Sequence, residues 1–558
     1  VTIKPINSQI FVSPQIRPEE LADIARQGFR SVICNRPDGE GADQPTFEEI
    51  EAEARKHGIE VRYLPIVAGK VRDEDATAFN DLMETLPKPV LAYCRTGTRS
   101  ATLWSLSQAE KQPLADILSQ TRAAGYDMAG VVRRIANGGR TPTDSAEDAR
   151  YDVVIVGGGA AGISVASSLL ARKSDLNIAL IDPADVHYYQ PGWTMVGGGI
   201  FDAADTAKTM ASLLPKGVHW LKSAVAAFEP KDNAVILDGC RVVKYGRLVV
   251  CPGLKLDWHR VEGLVETLGK NGVTSNYRYD LAPYTWQLVQ DMQGGRALFT
   301  QPPMPIKCAG APQKAMYLSA DHWRRTGRLG NIDIQFMNAG GVLFGVKDYV
   351  PALMDYVERY GIDLNFFHNL VSIDGPAKKA VFEVREPEKE ARQVEVGFDM
   401  IHVTPPQTAP DFIRVSPLAD AAGWVDVDQS TLRHKTYDNI WSLGDVMNAP
   451  NAKTAAAARK QAPVVAQNIV SDIRGHSATA LYDGYGSCPL TVERGKIVLA
   501  EFGYGGTLLP SFPRWLVDGT RPTRAAWFLK ERLLPPIYWR AMLRGREWLA
   551  KPEKISAS

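Results

Sequence analysis

Hydrophobic positions along the chain fall into two alternating rhythms. From residue 1 to about 137, short β-branched runs (SVICN, VRYLPI, PVLAYC) alternate with stretches such as PEELADIARQG and TAFNDLMETL, whose apolar residues recur at helical spacing. That alternation predicts an α/β domain over 1–137. Residues 138–150, GGRTPTDSAEDAR, offer almost nothing to bury and predict a linker. From 151 to about 490 strands and helices alternate again, over enough chain for two nucleotide-binding-type (Rossmann-type) subdomains. From 491 to 558 the character shifts toward Trp, Pro and Arg. There RAAWFLKERLL and PIYWRAMLRGREWLA predict two short amphipathic helices, separated by Leu534, Pro535 and Pro536.

At roughly 150 residues per domain, a chain of 558 residues holds several cores. With 45% hydrophobic and 23% charged residues it is not a mostly disordered chain. Sixty-four Lys and Arg against 63 Asp and Glu leave +1, so no global field draws it to nucleic acid. Charge is instead local: Ser511 to Ser558 carries ten Lys or Arg, four Asp or Glu, and Trp515, Trp527, Trp539 and Trp548. Aromatic and basic residues on short helices suit a membrane surface, and equally an interface with another domain or a second copy in a homo-oligomer. The start, VTIKPINSQIFVSP, lacks a basic and then apolar leader, and the weakly charged run Val153 to Ala171 is broken by three consecutive glycines. These features predict a cytoplasmic protein lying peripherally on the inner face of the cytoplasmic membrane. Six scattered cysteines (34, 94, 240, 251, 308, 488) form no disulfide framework and no zinc spacing, which fits a reducing compartment.

The strongest chemical signal is YDVVIVGGGAAGISVASSLL, a strand, a glycine turn and a helix with Gly157, Gly159 and Gly162 in G-x-G-x-x-G register. Gly157 permits the tight turn, Gly159 lets backbone approach a pyrophosphate, and Gly162 lets helix meet strand. Asp182 closes the next strand, NIALID, where it would hold ribose hydroxyls. A distant segment, NIWSLGDVMNAP, runs a strand into Gly444 and Asp445 and then a helix. It resembles the second FAD fingerprint of flavoproteins with two dinucleotide-binding domains, which implies FAD, with the aspartate on the ribityl chain. No second G-x-G-x-x-G follows the strand RALFT, so nicotinamide is not an expected partner.

At HYYQPGWTMVGGG, PIKCAGAPQKAMYLS, HVTPP and GDVMNAPNAKTAAAARKQ the chain resembles the sulfide:quinone oxidoreductases of mitochondria and bacteria, from about 151 to 550. The resemblance implies FAD-dependent oxidation of sulfide, or of a small persulfide or thiol, with electrons passed to quinone. It implies a flavin-facing redox cysteine at Cys308, and cofactor contacts from Gly253 and Lys453. Lys307 and Lys314 near Cys308 independently favour a thiolate. In the family a second redox cysteine follows the Gly-Asp pair; here that place is Val446. Cys251, in LVVCPGLKLDW, then becomes the substitute second thiol, unless Cys308 works alone and yields its sulfur to an external thiol. Cys488, in YGSCPL, is read as structural.

In the first domain PVLAYCRTGTRSATLWSL puts Cys94 at the end of an apolar strand, before a loop, Arg99 and a helix. A thiolate at a helix N-terminus beside an arginine fork makes an anion cradle. The segment resembles tyrosine phosphatases and rhodaneses, and with NRPDGEG the domain resembles the phosphatase-like family fused to persulfide-metabolising β-lactamase-type hydrolases. Phosphatases place arginine six residues after the cysteine, where this chain has Ser100; Cys94 to Arg99 is the rhodanese loop length. Sulfane-sulfur transfer, phosphatase chemistry and a silent regulatory domain all stay open, with Asp38 the acid nominated as proton donor. Two other readings of the whole chain are a type-II NADH:quinone oxidoreductase and a redox-sensing signalling protein with a Cys94 phosphatase.

Overall fold

The computed structural model describes residues 2–41, 44–142, 149–238 and 241–554, so linker positions 143–148 and Cys240 lie outside the described residues. The chain divides into two compact units. The first comprises Val1–Arg150 with Ser223–Tyr245 and Asp411–Ala419; the second holds the remainder.

The first unit is built on a five-stranded sheet in which Ile10–Ser13, Val90–Tyr93, Ser31–Cys34 and Glu60–Tyr63 lie side by side in parallel. Val90–Tyr93 and Ser31–Cys34 are buried along their whole length, as expected for strands covered on both faces. The helix Phe47–Lys56 starts at a capping box: the Thr46 side chain accepts from the Glu49 N–H while Glu49 reaches back to Thr46. Helices Leu114–Ala123 and Val132–Ala136 pack Leu114, Leu118 and Val132 against Ala227, Ala234, Ile236 and Val242 of a hairpin from beyond the linker. The first core is therefore completed by chain that follows residue 150.

The second unit is α/β with two sheets of the dinucleotide-binding kind, the first mixed and the second parallel. In one, Val218–Leu221, Ile178–Ile181, Ala149–Val156, Val242–Val250 and Ile440–Ser442 succeed one another across the sheet. In the other, Val273–Thr274, Met400–His402, Gly295–Gln301, Ile332–Asn338 and Asp363–Phe366 are all parallel. The antiparallel hairpin Gly486–Glu493 and Lys496–Phe502 joins the core of this second sheet and the helix Ala311–Arg325 through Cys488, Leu490, Val492, Val498 and Ala500. A boundary at 490/491 thus cuts through a paired strand.

The expected break at Leu534–Pro536 is absent. Arg524–Phe528, a π-helical turn Leu529–Leu533, and Leu534–Arg540 follow without interruption, with the two prolines in the first turn of the last piece. Wide π turns leave carbonyls without i+4 donors, so the missing proline N–H groups cost little there. Among the described residues no helix is long and apolar enough to cross a membrane.

Candidate functional site

The cofactor-binding candidates converge at the carboxyl ends of three adjacent strands. Gly157 ends Ala149–Val156, Cys251 to Gly253 follow Val242–Val250, and Gly444 and Asp445 follow Ile440–Ser442. Gly157 has φ +105°, and a Cβ there would strike the Cys251 carbonyl. A Cβ on Gly162 would collide with the Gly157 carbonyl, as close helix–strand packing demands. Gly159 differs: a Cβ there meets no atom within 4 Å. The protein's own packing does not need glycine at 159, and the open space before it is what a pyrophosphate would fill at the N-terminus of Ala160–Arg172. Asp182 is oriented by the Gly158 N–H at 2.6 Å and the Ala184 N–H at 2.8 Å. The residues present therefore fit FAD.

Lys453 joins this crest to Cys308. Its Nζ donates to the carbonyls of Asp445 and Met447, both at 2.8 Å, while its own carbonyl accepts the Cys308 N–H at 2.8 Å. Burial lowers the Lys453 ammonium to about 8 against the pull of Asp445, and burial raises the Asp445 carboxyl in spite of Lys453 and Lys307. Cys308 sits at φ +49°, a left-handed backbone that costs a non-glycine residue about 1 kcal/mol. Its neighbours hold it there: the Tyr277 hydroxyl lies 3.1 Å from the Lys307 carbonyl and 3.3 Å from that of Cys308.

Around Cys308 the structure assembles a group that the linear text hides. Lys314 Nζ lies 3.2 Å from Cys308 Sγ, and the hairpin strand Gly486–Glu493 brings Cys488 against Gly310 and Cys308. The hydrogen bond from the Cys488 thiol, then the charges of Lys314 and Lys530, hold Cys308 well below the ordinary thiol range although burial opposes this. Cys488 is pushed well above that range by the same hydrogen bond and by burial. The two shifts favour ionisation at Cys308 over Cys488. Lys530 comes from the π turn of the tail, with its Nζ 3.1 Å from the Pro191 carbonyl; burial, and then the charge of Lys314, lowers it to about 7.

The Cys251 thiol is buried against the fingerprint turn, 3.7 Å from the Gly157 carbonyl, and burial raises its pKa. Position 446 carries valine, and the thiol set against Cys308 is Cys488, on a strand 42 positions further on. The tail is not a detachable surface helix. Tyr538 and Trp539 are buried, and His187 donates from Nδ1 to the Gly158 carbonyl (3.1 Å) while its Nε2 accepts from the Tyr538 hydroxyl (2.6 Å). Arg172 of the fingerprint helix grips Glu547 with two bonds of 2.5 and 2.9 Å, and Ser167 donates to the Leu543 carbonyl. Of the four tail tryptophans, Trp515 and Trp548 are exposed, Trp527 and Trp539 buried.

In the first unit Cys94 is buried, and its Sγ accepts the Gly97 N–H at 3.1 Å, at the start of the helix Thr98–Ser107. Arg99 is already engaged, donating to the Ile66 carbonyl and to Glu40, both at 2.6 Å. Ser100, where a phosphatase carries arginine, donates to Asn35 Oδ1 at 2.8 Å. Asp38 accepts the Phe47 N–H at the start of Phe47–Lys56, so it secures a helix end. Glu40, not Asp38, is the acid joined to the Cys94 loop.

The fold defines a flavoprotein with two dinucleotide-binding domains, and Cys308 and Cys488 are set together in the core of the second sheet. A family model described as pyridine nucleotide-disulphide oxidoreductase matches residues 151–284, and one described as the phosphatase-like domain of beta-lactamase hydrolase-like protein matches residues 3–111. The mitochondrial sulfide:quinone oxidoreductase of Dictyostelium discoideum is 44% identical over 402 residues, 72% of this chain and 87% of that protein. That of Mus musculus is 38% identical over 395 residues, 71% and 87% of the two chains. The fold is also that of the sulfide:quinone oxidoreductase from Aquifex aeolicus, at a TM-score of 0.59 and 20% identity, covering 72% of this chain and 92% of that one. The chain belongs to the sulfide:quinone oxidoreductase family.

Proposed function

We propose that the protein oxidises sulfide, or a small persulfide or thiol, at Cys308 and Cys488 and passes the electrons through FAD to a quinone. The observation that carries this reading is the paired thiols, one held as thiolate and one as proton donor, with Lys314 and Lys530 beside them. In the pair oxidised to a disulfide, sulfide attacks one sulfur and forms a persulfide on that cysteine, while the S–S bond breaks and the other cysteine leaves as a thiolate with the bond's electron pair. Cys308 is the leaving side, because its backbone is bonded to Lys453 and through it to the cofactor crest. Bound FAD supplies a two-electron acceptor. Lys530, with its pKa near neutrality, takes the proton that sulfide releases. An external acceptor removes the sulfane sulfur and restores the pair.

A quinone dissolved in a bilayer requires a surface that meets lipid. Trp515, Leu516, Phe528, Leu533, Trp548 and Leu549 are exposed in the basic tail and offer that surface. In this reading the protein lies peripherally on the inner face of the cytoplasmic membrane. The first unit takes or delivers sulfane sulfur at Cys94. Anaerobic mixing with sulfide and, separately, with NADH tests the central assignment: sulfide bleaches the flavin within the dead time of ordinary turnover, and bleaching by NADH alone would overturn it.

A further inference from the structure

Three loops of the first unit leave the same sheet edge, following the parallel strands Ser31–Cys34, Glu60–Tyr63 and Val90–Tyr93. Open α/β sheets place their ligands at that edge. The first loop supplies Arg36 and Glu40, the second the Ile66 carbonyl, the third Cys94 and Arg99. Arg36 Nε donates to Glu40 Oε2 at 3.0 Å, and Arg99 Nη2 donates to the same oxygen at 2.6 Å. Arg36 Nη1 is steadied by Gln15 Oε1 at 3.0 Å, and Arg99 Nη1 by the Ile66 carbonyl. The two arginine side chains are only 9% and 11% exposed. Among the described residues no second carboxylate bonds to either guanidinium, so two nearly buried positive charges face one negative charge. Burying that excess is costly unless a further anion can enter.

We propose that Glu40 holds the place of a substrate oxyanion, and that a donor whose sulfane sulfur is attached to an oxyanion displaces its carboxylate from Arg36 and Arg99. This rests on the sulfur-transfer reading of Cys94 and narrows it to anionic donors of the thiosulfonate class. Two guanidinium groups that converge on one carboxylate oxygen suit an oxyanion better than any neutral group. The Glu40 carboxyl is held below the usual range by its hydrogen bond from Arg99 and by Arg36, so it is the internal anion that a ligand must outcompete. With the donor's oxyanion on the arginines, the Cys94 thiolate attacks the outer sulfur and the donor's S–S bond breaks. Sulfite or sulfinate leaves with the electron pair, and Cys94 keeps the sulfane sulfur as a persulfide. Oxidation states balance without an added oxidant. Cys94 is buried in the resting arrangement, consistent with a site that opens when Glu40 is displaced.

The test uses the full-length protein and follows alkylation of the Cys94 peptide by mass spectrometry, with iodoacetate as the anionic probe and iodoacetamide as its neutral counterpart. Glu40→Gln raises the iodoacetate-to-iodoacetamide rate ratio at Cys94 about tenfold, Glu40→Asp keeps it within about twofold of wild type, and sulfate suppresses the gain. The same ratio at Cys308 is unchanged in every variant, which reports intact folding of the second unit. An equal rise in both rates would show that Glu40 merely closes the loop, and unchanged rates would show that it does not guard the thiol; either result overturns the proposal. Thiosulfate-to-cyanide sulfur transfer is measured in parallel. A raised ratio without transfer would keep the anion site and remove the sulfur-transfer reading.

Discussion

Cys308 and Cys488 lie 180 positions apart, yet their thiols are hydrogen-bonded and shifted in opposite directions, Cys308 down and Cys488 up. Residues that act as one unit fail together. Cys488→Ala is therefore expected to slow sulfide-driven flavin bleaching about a hundredfold or more, as Cys308→Ala does, while Cys251→Ala stays within about twofold; anaerobic stopped-flow absorbance distinguishes them. Gly159→Val is expected to leave the fold intact and the protein colourless, because a side chain there meets no protein atom and fills only the space before the helix N-terminus. Flavin absorbance together with circular dichroism checks both halves. Lys530 titrates near 7 in the folded chain and near 10.4 when unfolded. Between those values the unfolded state binds more protons, so stability rises with pH, and below about 7 the full cost of a buried charge is present. Lys530→Met should accordingly raise the melting temperature most below about pH 7, with the gain vanishing by about pH 10.4.

The tail is the element whose reading changes most between text and fold. Its composition speaks of a surface helix, but its inner side is committed: Lys530 to the sulfur site, Tyr538 to His187, Glu547 to Arg172. Deleting residues 511–558 is expected to cost flavin retention as well as membrane binding, where a detachable anchor would cost binding alone. The outer side can be tested separately. Replacing Trp515, Leu516 and Trp548 with serine should release the protein from anionic vesicles in a flotation assay and leave flavin content unchanged, since these side chains are exposed. The hairpin Gly486–Glu493 and Lys496–Phe502 shows the converse: an unremarkable pair of apolar strands becomes the carrier of the second thiol.

The molecule divides into two units, one holding Cys94 and the other Cys308 and Cys488. Cys94→Ser is expected to leave sulfide-driven flavin reduction within about twofold of wild type while removing sulfane transfer, as measured by thiocyanate formation; each site has its own thiol and cations. Local order along the chain was enough for the alternation of strands and helices, for the fingerprint from Gly157 to Asp182, and for Cys308 among lysines. Those features are carried by neighbours within one strand, turn and helix, where spacing is geometry. The second thiol, the buried Lys530, the grip of Glu547 on Arg172 and the Glu40 carboxylate between two arginines came only from the tertiary structure. Each joins residues from separate segments of the chain, and no periodicity records which strand will lie beside which helix once the apolar faces have closed. The same limit explains the π turn ahead of Pro535: a proline pair reads as a break until packing on both sides holds the helix through it.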